Sequence, residues 1–126
     1  MTKFYPVNIP KVNPSDIKNV SIVMKNGWIS SDGPEVKKFE KNFSKFINKK
    51  YSIAVSNGTA ALEIALKAIG IKEGDEVIIP NFTIISNALA VVKLGATPIL
   101  IDCKLDDWNM NIDDLEKKIT KKTKAI

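Results

Sequence analysis

The sequence predicts an α/β protein with three layers, a mostly parallel sheet covered by helices on both faces. Short strand-length segments at residues 51–55, 76–80 and 98–101 alternate with segments whose apolar residues recur at helical spacing. The strand-like segments are also apolar in unbroken runs (Val77-Ile78-Ile79, Ile99-Leu100-Ile101) rather than alternating, as in strands buried on both faces. Right-handed crossovers through the intervening helices are expected to join neighbouring parallel strands.

Asn13-Pro14-Ser15-Asp16 reads as a helix start, with Asn13 as cap, Pro14 in the first turn and Asp16 at the positive end of the dipole. That helix is expected to end near Gly27, where residues 27–34 form a loop rich in turn formers. From Glu35, the positions Val36, Phe39, Phe43, Phe46 and Ile47 mark one face of a second helix. A strand at 51–55 then leads to a helix with inner face Leu62, Ala65, Leu66 and Ile69, closed by Gly70. The strand at 76–80 precedes an almost wholly apolar segment at 88–94, and Gly95-Ala96 turns into the strand at 98–101. Three parallel strands are thus expected between residues 51 and 103. Asn111 caps a last helix carrying Ile112, Leu115 and Ile119. Lys124-Ala125-Ile126 reads as the opening of a fourth strand. A buried strand cut in mid-element would leave its backbone groups without partners, so the sequence is read as a fragment.

Composition narrows the chemistry. Of 126 residues, 44% are apolar and 26% charged, the balance of an ordinary globular domain. No apolar run approaches the roughly 18 residues of a membrane span, and the start lacks a signal-peptide core, so a cytoplasmic protein with no membrane partner is expected. The single cysteine, Cys103, excludes an internal disulfide and a cysteine metal cluster, and its residue type reads as a small buried side chain. All 19 basic residues are lysines. Without histidine the chain supplies no Ser-His-Asp or Cys-His pair. Without arginine it lacks the planar fork for phosphate or guanine, so the net charge of +5 reads as a solvated surface and no nucleic-acid partner is expected. Asp106-Asp107 and Asp113-Asp114 lack calcium-loop spacing and read as turn and helix-start residues, with no metal expected.

The chemistry concentrates at Ser56-Asn57-Gly58-Thr59-Ala60-Ala61, between a strand and its helix. Parallel α/β folds bind ligands at the carboxyl ends of strands. A glycine admits an anion close to the backbone, a helix amino terminus offers unpaired N–H groups, and Thr59 adds a hydroxyl. The local residues fit two readings, half of a phosphate cup or an ordinary turn in which Ser56 or Thr59 caps the helix, and taken alone they favour the ordinary turn by about two to one.

The order of motifs favours the cup. Gly27 to Pro34 (Gly-Trp-Ile-Ser-Ser-x-Gly-Pro), Ser56 to Leu62 (Ser-Asn-Gly-Thr-Ala-Ala-Leu), Gly74 to Thr83 (Gly-Asp-Glu-Val-Ile-Ile-Pro-x-Phe-Thr) and Gly95 to Asp102 (Gly-Ala-Thr-Pro-Ile-Leu-Ile-Asp) together resemble the DegT/DnrJ/EryC1/StrS aminotransferases. The likeness covers essentially the whole chain. It implies the N-terminal part of the large domain of a fold-type-I, pyridoxal-phosphate-dependent enzyme. Residues 1–34 would form an N-terminal helix and a substrate or interface loop, and residues 35–126 part of the cofactor-binding domain. Such enzymes transaminate nucleotide-linked keto-sugars for polysaccharide biosynthesis, with an amino acid, often glutamate, as nitrogen donor, and they work as homodimers.

By position, the resemblance assigns Gly58, Thr59 and the Ala60 amide to the cofactor phosphate. It puts Ile84 where the family usually has an aromatic residue stacked on the pyridine ring, a departure that loses stacking worth about 0.5–1.5 kcal/mol. Phe82 reads as core packing. Trp28, Ile29, Ser30 and Ser31 would lie near the sugar or the neighbouring subunit, with a plain turn or interface role as the alternative. The resemblance puts the lysine that holds the cofactor and the carboxylate that meets the pyridine nitrogen beyond residue 126. No catalytic residue is therefore expected in this chain, which alone is expected to be inactive. Two alternatives stay open: a sugar dehydratase of the same fold, with histidine in place of that lysine, and a stand-alone nucleotide-binding α/β module.

Overall fold

The computed structural model describes residues 3–126. They fall into two compact units, one ending at Ala54 and one running from Val55 to Ile126.

In the first unit, α1 (Pro14–Lys25) starts as its sequence dictates: the Asp16 carboxylate accepts from the Asn13 backbone N–H at 2.8 Å, and Pro14 occupies a position that needs no donor. The helix ends at Asn26, and Gly27 leaves it at φ 73°. α2 (Pro34–Phe46) follows, with Phe39 and Phe43 stacked at 5.8 Å between ring centroids. Among the described residues of this unit only Gly33 is buried, so the apolar stripe of α2 lies largely in the open.

The second unit carries the sheet. Its elements are α3 (Gly58–Ala68), β1 (Glu76–Pro80), α4 (Ser86–Lys93), β2 (Thr97–Ile101), α5 (Ile112–Lys118) and β3 (Thr123–Ala125). The strand order is β2-β1-β3 with both pairings parallel, and β1 faces β2 in register from Glu76↔Thr97 to Pro80↔Ile101. Alternate side chains of β1 leave on opposite faces. Val77 and Ile79 join Ile71, Val91 and Ala96, with Leu66 of α3 packed beside them. Ile78 joins Ile101 and Leu115 of α5. Helices thus cover both faces, and the three layers expected from the unbroken apolar runs are present.

One expected strand is not formed. Residues 51–55 make no ladder pairing among the described residues, and Tyr51 and Ile53 are 74% and 78% exposed. Between residues 51 and 103 there are two parallel strands, and the third place in the sheet belongs to β3, beside β1. An apolar β-branched stretch records a tendency to extend, whereas a strand exists only where a neighbour takes its backbone hydrogen bonds. Glu40 serves that role locally, its carboxylate accepting from the Ala54 N–H at 2.8 Å.

Candidate functional site

The turn before α3 is organised by Asn57. Its extended backbone places the side-chain carbonyl to accept from the Ala60 N–H at 2.9 Å, and its main-chain carbonyl accepts from the Ala61 N–H at 3.1 Å. Asn57 is therefore the cap, not Ser56 or Thr59. The bond occupies the Ala60 amide that the resemblance assigns to the cofactor phosphate. The N–H groups of Gly58 and Thr59, one turn ahead of the first intrahelical donor, point out of the helix end with the positive pole of its dipole.

Gly58 is not required by its surroundings. A Cβ built there would meet nothing within 4 Å, and the residue does not adopt a left-handed φ. The space over its Cα is open. Closure of α3 is different, because Gly70 sits at φ 85° and its neighbour Ile71 donates back to the Leu66 carbonyl at 3.1 Å.

Thr59 reaches across to the next strand-to-helix junction. Its hydroxyl lies 3.0 Å from that of Ser86, the first residue of α4, and α4 follows the carboxyl end of β1. The turn before α3 thus stands at the carboxyl edge of the sheet by way of β1, not by way of residues 51–55. Gly58, Thr59, Ala61, Leu62, Ala65, Ile84 and Ser86 line one open cleft of about 590 Å³. The structure brings Gly58, Thr59 and Ile84 together there, with Ile84 69% exposed. Sequence reasoning missed Ser86; the signal available was its place at a second helix start beyond a strand's carboxyl end.

The loop residues Trp28, Ile29, Ser30 and Ser31 belong to the first unit. Trp28 packs its Cβ and ring edge toward Gly33, and the Ser30 hydroxyl accepts from the Asp32 N–H at 3.3 Å. Trp28 and Ile29 are both exposed.

Three further expectations meet the coordinates. Phe82 is not core: it is 63% exposed and lies 5.0 Å, ring centroid to ring centroid, from Trp108, tilted by 46°. It follows the end of β1, where the Asn81 N–H bonds to the Ile101 carbonyl at 2.7 Å, so its side chain leaves the layer between sheet and helix. Trp108 is held at φ 60°, uncommon for a bulky residue, by a loop in which the Lys104 N–H donates to the Asn109 carbonyl and the Trp108 N–H to the Lys104 carbonyl. Cys103 is half-buried rather than buried, bridged antiparallel to Met110. Asp113 and Asp114 occupy the first turn of α5 as expected, and Asp107 closes a turn by accepting from the Asn109 N–H at 2.9 Å. That bond, with one from the Asn109 side chain, holds the Asp107 carboxyl below its ordinary value.

Comparison with known proteins reads this geometry in context. The profile of the DegT/DnrJ/EryC1/StrS aminotransferase family matches residues 10–126. The chain belongs to that family. Among curated relatives, a GDP-perosamine synthase of Escherichia coli O157:H7 is 44% identical over 98% of this chain and 34% of its own length. The Bacillus subtilis spore coat polysaccharide biosynthesis protein SpsC is 42% identical over 98% of this chain and 31% of its own. A Streptococcus pneumoniae protein described as a sugar aminotransferase, solved in its PLP form, superposes with TM-score 0.85 at 33% identity, covering 95% of this chain and 30% of that one. An E. coli GDP-4-keto-6-deoxy-D-mannose-3-dehydratase with hydrated PLP superposes with TM-score 0.84 at 26% identity, over 98% of this chain and 33% of that one. The chain therefore spans about a third of the length of the relatives it matches. Both superposed structures share this chain's fold over the part they cover, and no helix among the described residues is long and apolar enough to cross a membrane.

Proposed function

We propose that the protein containing this chain transfers an amino group from an amino-acid donor, such as glutamate, to the carbonyl of a nucleotide-linked keto-sugar, using pyridoxal phosphate held at the Gly58–Thr59 turn. The observation that carries the reading is the open space over Gly58 at a helix start, where the first amides lack intrahelical acceptors, beside the Thr59 hydroxyl, in a chain of this aminotransferase family. Those groups fit a phosphate by kind: each can donate to it, at the positive end of a helix of 11 residues. Pyridoxal phosphate, when bound, would supply the electron-withdrawing ring on which an amino group is taken up and passed on.

The residues of this chain hold rather than react. Gly58 and Thr59 would bind the phosphate through their amides, and the Thr59 O–H would add a charge-assisted bond. The Asn57 cap keeps the two amides fixed by tying down the Ala60 N–H. Ile84 would cover one face of the pyridine ring by apolar contact and keep water from it. Trp28, Ile29, Ser30 and Ser31 would contact the sugar or a second copy of the protein in a homodimer. Among the described residues no lysine lines the cleft, so the 126 residues by themselves are expected to bind the cofactor weakly and to transaminate nothing.

Thr59→Ala tests the site in the full-length protein. A hydrogen bond to a charged group is worth about 1.5–3 kcal/mol, so pyridoxal phosphate affinity should fall about ten- to hundredfold in a folded variant. Unchanged affinity would refute the assignment. The likeness to the mannose dehydratase supports a second reading, loss of a sugar hydroxyl instead of gain of an amine. Product analysis with a nucleotide keto-sugar separates the two, since transamination leaves the donor's nitrogen on the sugar whereas dehydration yields a deoxy sugar without it.

A further inference from the structure

The Thr59–Ser86 contact joins two helix starts that are 27 residues apart in sequence. Ser86 is the first residue of α4, one position past the cap residue Ile85, and no side chain caps this helix. Its hydroxyl is spent elsewhere: among the described residues Thr59 is its one hydrogen-bond partner, while the α4 amides of Asn87 and Leu89 are taken by the Ile84 and Ile85 carbonyls. The pair is part-buried and lines the cleft beside the open space over Gly58.

A hydroxyl carries one proton and two acceptor sites. With no anion present, either member of the pair can donate to the other. A phosphate oxygen accepts only, so Thr59 can bond to it only by turning its own proton outward. The Thr59 oxygen then needs a new donor, and the Ser86 O–H is the one within reach, at 3.0 Å. A donor that itself accepts a hydrogen bond is polarised and becomes a stronger donor. The same contact fixes the Thr59 rotamer, which would otherwise have to be ordered by the ligand.

We propose that Ser86 is a positioning residue for the phosphate, which holds the Thr59 hydroxyl in the cleft and donates to it when Thr59 donates to a phosphate oxygen. This rests on the phosphate reading of the Gly58–Thr59 turn given above, and it adds a residue that touches the anion only through Thr59.

The test is a double-mutant cycle in the cofactor-stripped full-length protein, with pyridoxal phosphate as probe and affinity read by equilibrium titration. Urea midpoints are measured alongside. Ser86→Ala should weaken binding about three- to tenfold without moving the midpoint. Ser86→Thr, which keeps the hydroxyl, should restore affinity to within about twofold. Introduced on top of Thr59→Ala, Ser86→Ala should have no further effect, since the hydroxyl it supports is gone. If Thr59→Ala weakens binding and Ser86→Ala does not, the role given to Ser86 is wrong while the phosphate site stands. Additive losses in the double variant would overturn the relay by showing that Ser86 meets the phosphate independently. A lowered midpoint in Ser86→Ala that Ser86→Thr does not repair would assign the residue to folding and overturn the proposal. If neither single variant changes affinity, the phosphate reading itself fails.

Discussion

Replacing Gly58 by alanine should change stability and binding in opposite directions. In the free protein the added Cβ would meet no atom within 4 Å, and the residue already sits in an ordinary helix-start conformation. Glycine here is neither packed against nor forced into the left-handed region. Its flexibility is therefore a burden on folding, and Gly58→Ala should stabilise by about 0.4–1 kcal/mol, mostly by restricting the unfolded chain. At a urea slope of about 2 kcal/mol per molar, that moves the midpoint up by about 0.2–0.5 M. The same methyl group would stand in the space where a phosphate oxygen approaches the Gly58 and Thr59 amides. Loss or lengthening of one charge-assisted bond weakens pyridoxal phosphate binding about ten- to hundredfold. The measurements are a urea titration of the cofactor-free protein and an equilibrium titration with pyridoxal phosphate. A destabilised Gly58→Ala would show that the space is not open. A stabilised variant with undiminished affinity would show that the cradle holds no anion.

Ile84→Phe should restore a ring beside the cleft and tighten pyridoxal phosphate about two- to tenfold, from a stacking gain of about 0.5–1.5 kcal/mol; the same titration reads it, and weaker binding would place Ile84 away from the cofactor ring. Ile78, 1% exposed between Ile101 and Leu115, leaves a cavity when cut to alanine, so Ile78→Ala should lower stability by about 2–5 kcal/mol in a urea titration. Asp107 has a folded-state pKa below its ordinary 3.8, through the Asn109 bonds. Its contribution is therefore fully present above that value and lost as pH falls through the lower, folded one. The side-chain carboxyl resonance of Asp107 should accordingly move only at a pH below its ordinary value, and Asp107→Asn should remove that transition.

Much of the fold was written locally. The helix starts at Asn13 and Asn111, the reversal at Gly70 and the glycine turn before β2 depend on side chains within a few residues of the backbone they serve, so residue type alone announces them. The unbroken apolar run of β1 likewise required cover on both faces, and Ile78 faces one layer while Val77 and Ile79 face the other. The helix start at Gly58 was legible for the same reason, since a turn into a helix is built from consecutive residues.

Pairing was not legible, because it is a relation between segments. Residues 51–55 and 123–125 carry similar extended tendencies, yet only the latter finds β1 as a neighbour, with the Glu76 N–H bonded to the Lys122 carbonyl at 2.9 Å. The same limit hid the site's finer chemistry. Whether the Ala60 amide is free depends on the rotamer of Asn57, and the meeting of Thr59 with Ser86 depends on how α3 packs beside α4. Phe82 looked like core because its composition is apolar, but exposure follows from where a chain leaves its strand, and here it leaves beyond the carboxyl edge of the sheet toward Trp108. The sequence by itself determined the helices, the strands near 76–80 and 98–101, and the helix starts at Asn13 and Asn111. Only the tertiary structure decided which strands pair and which hydroxyl stands behind Thr59, because those contacts are made across the chain, where no local spacing records them.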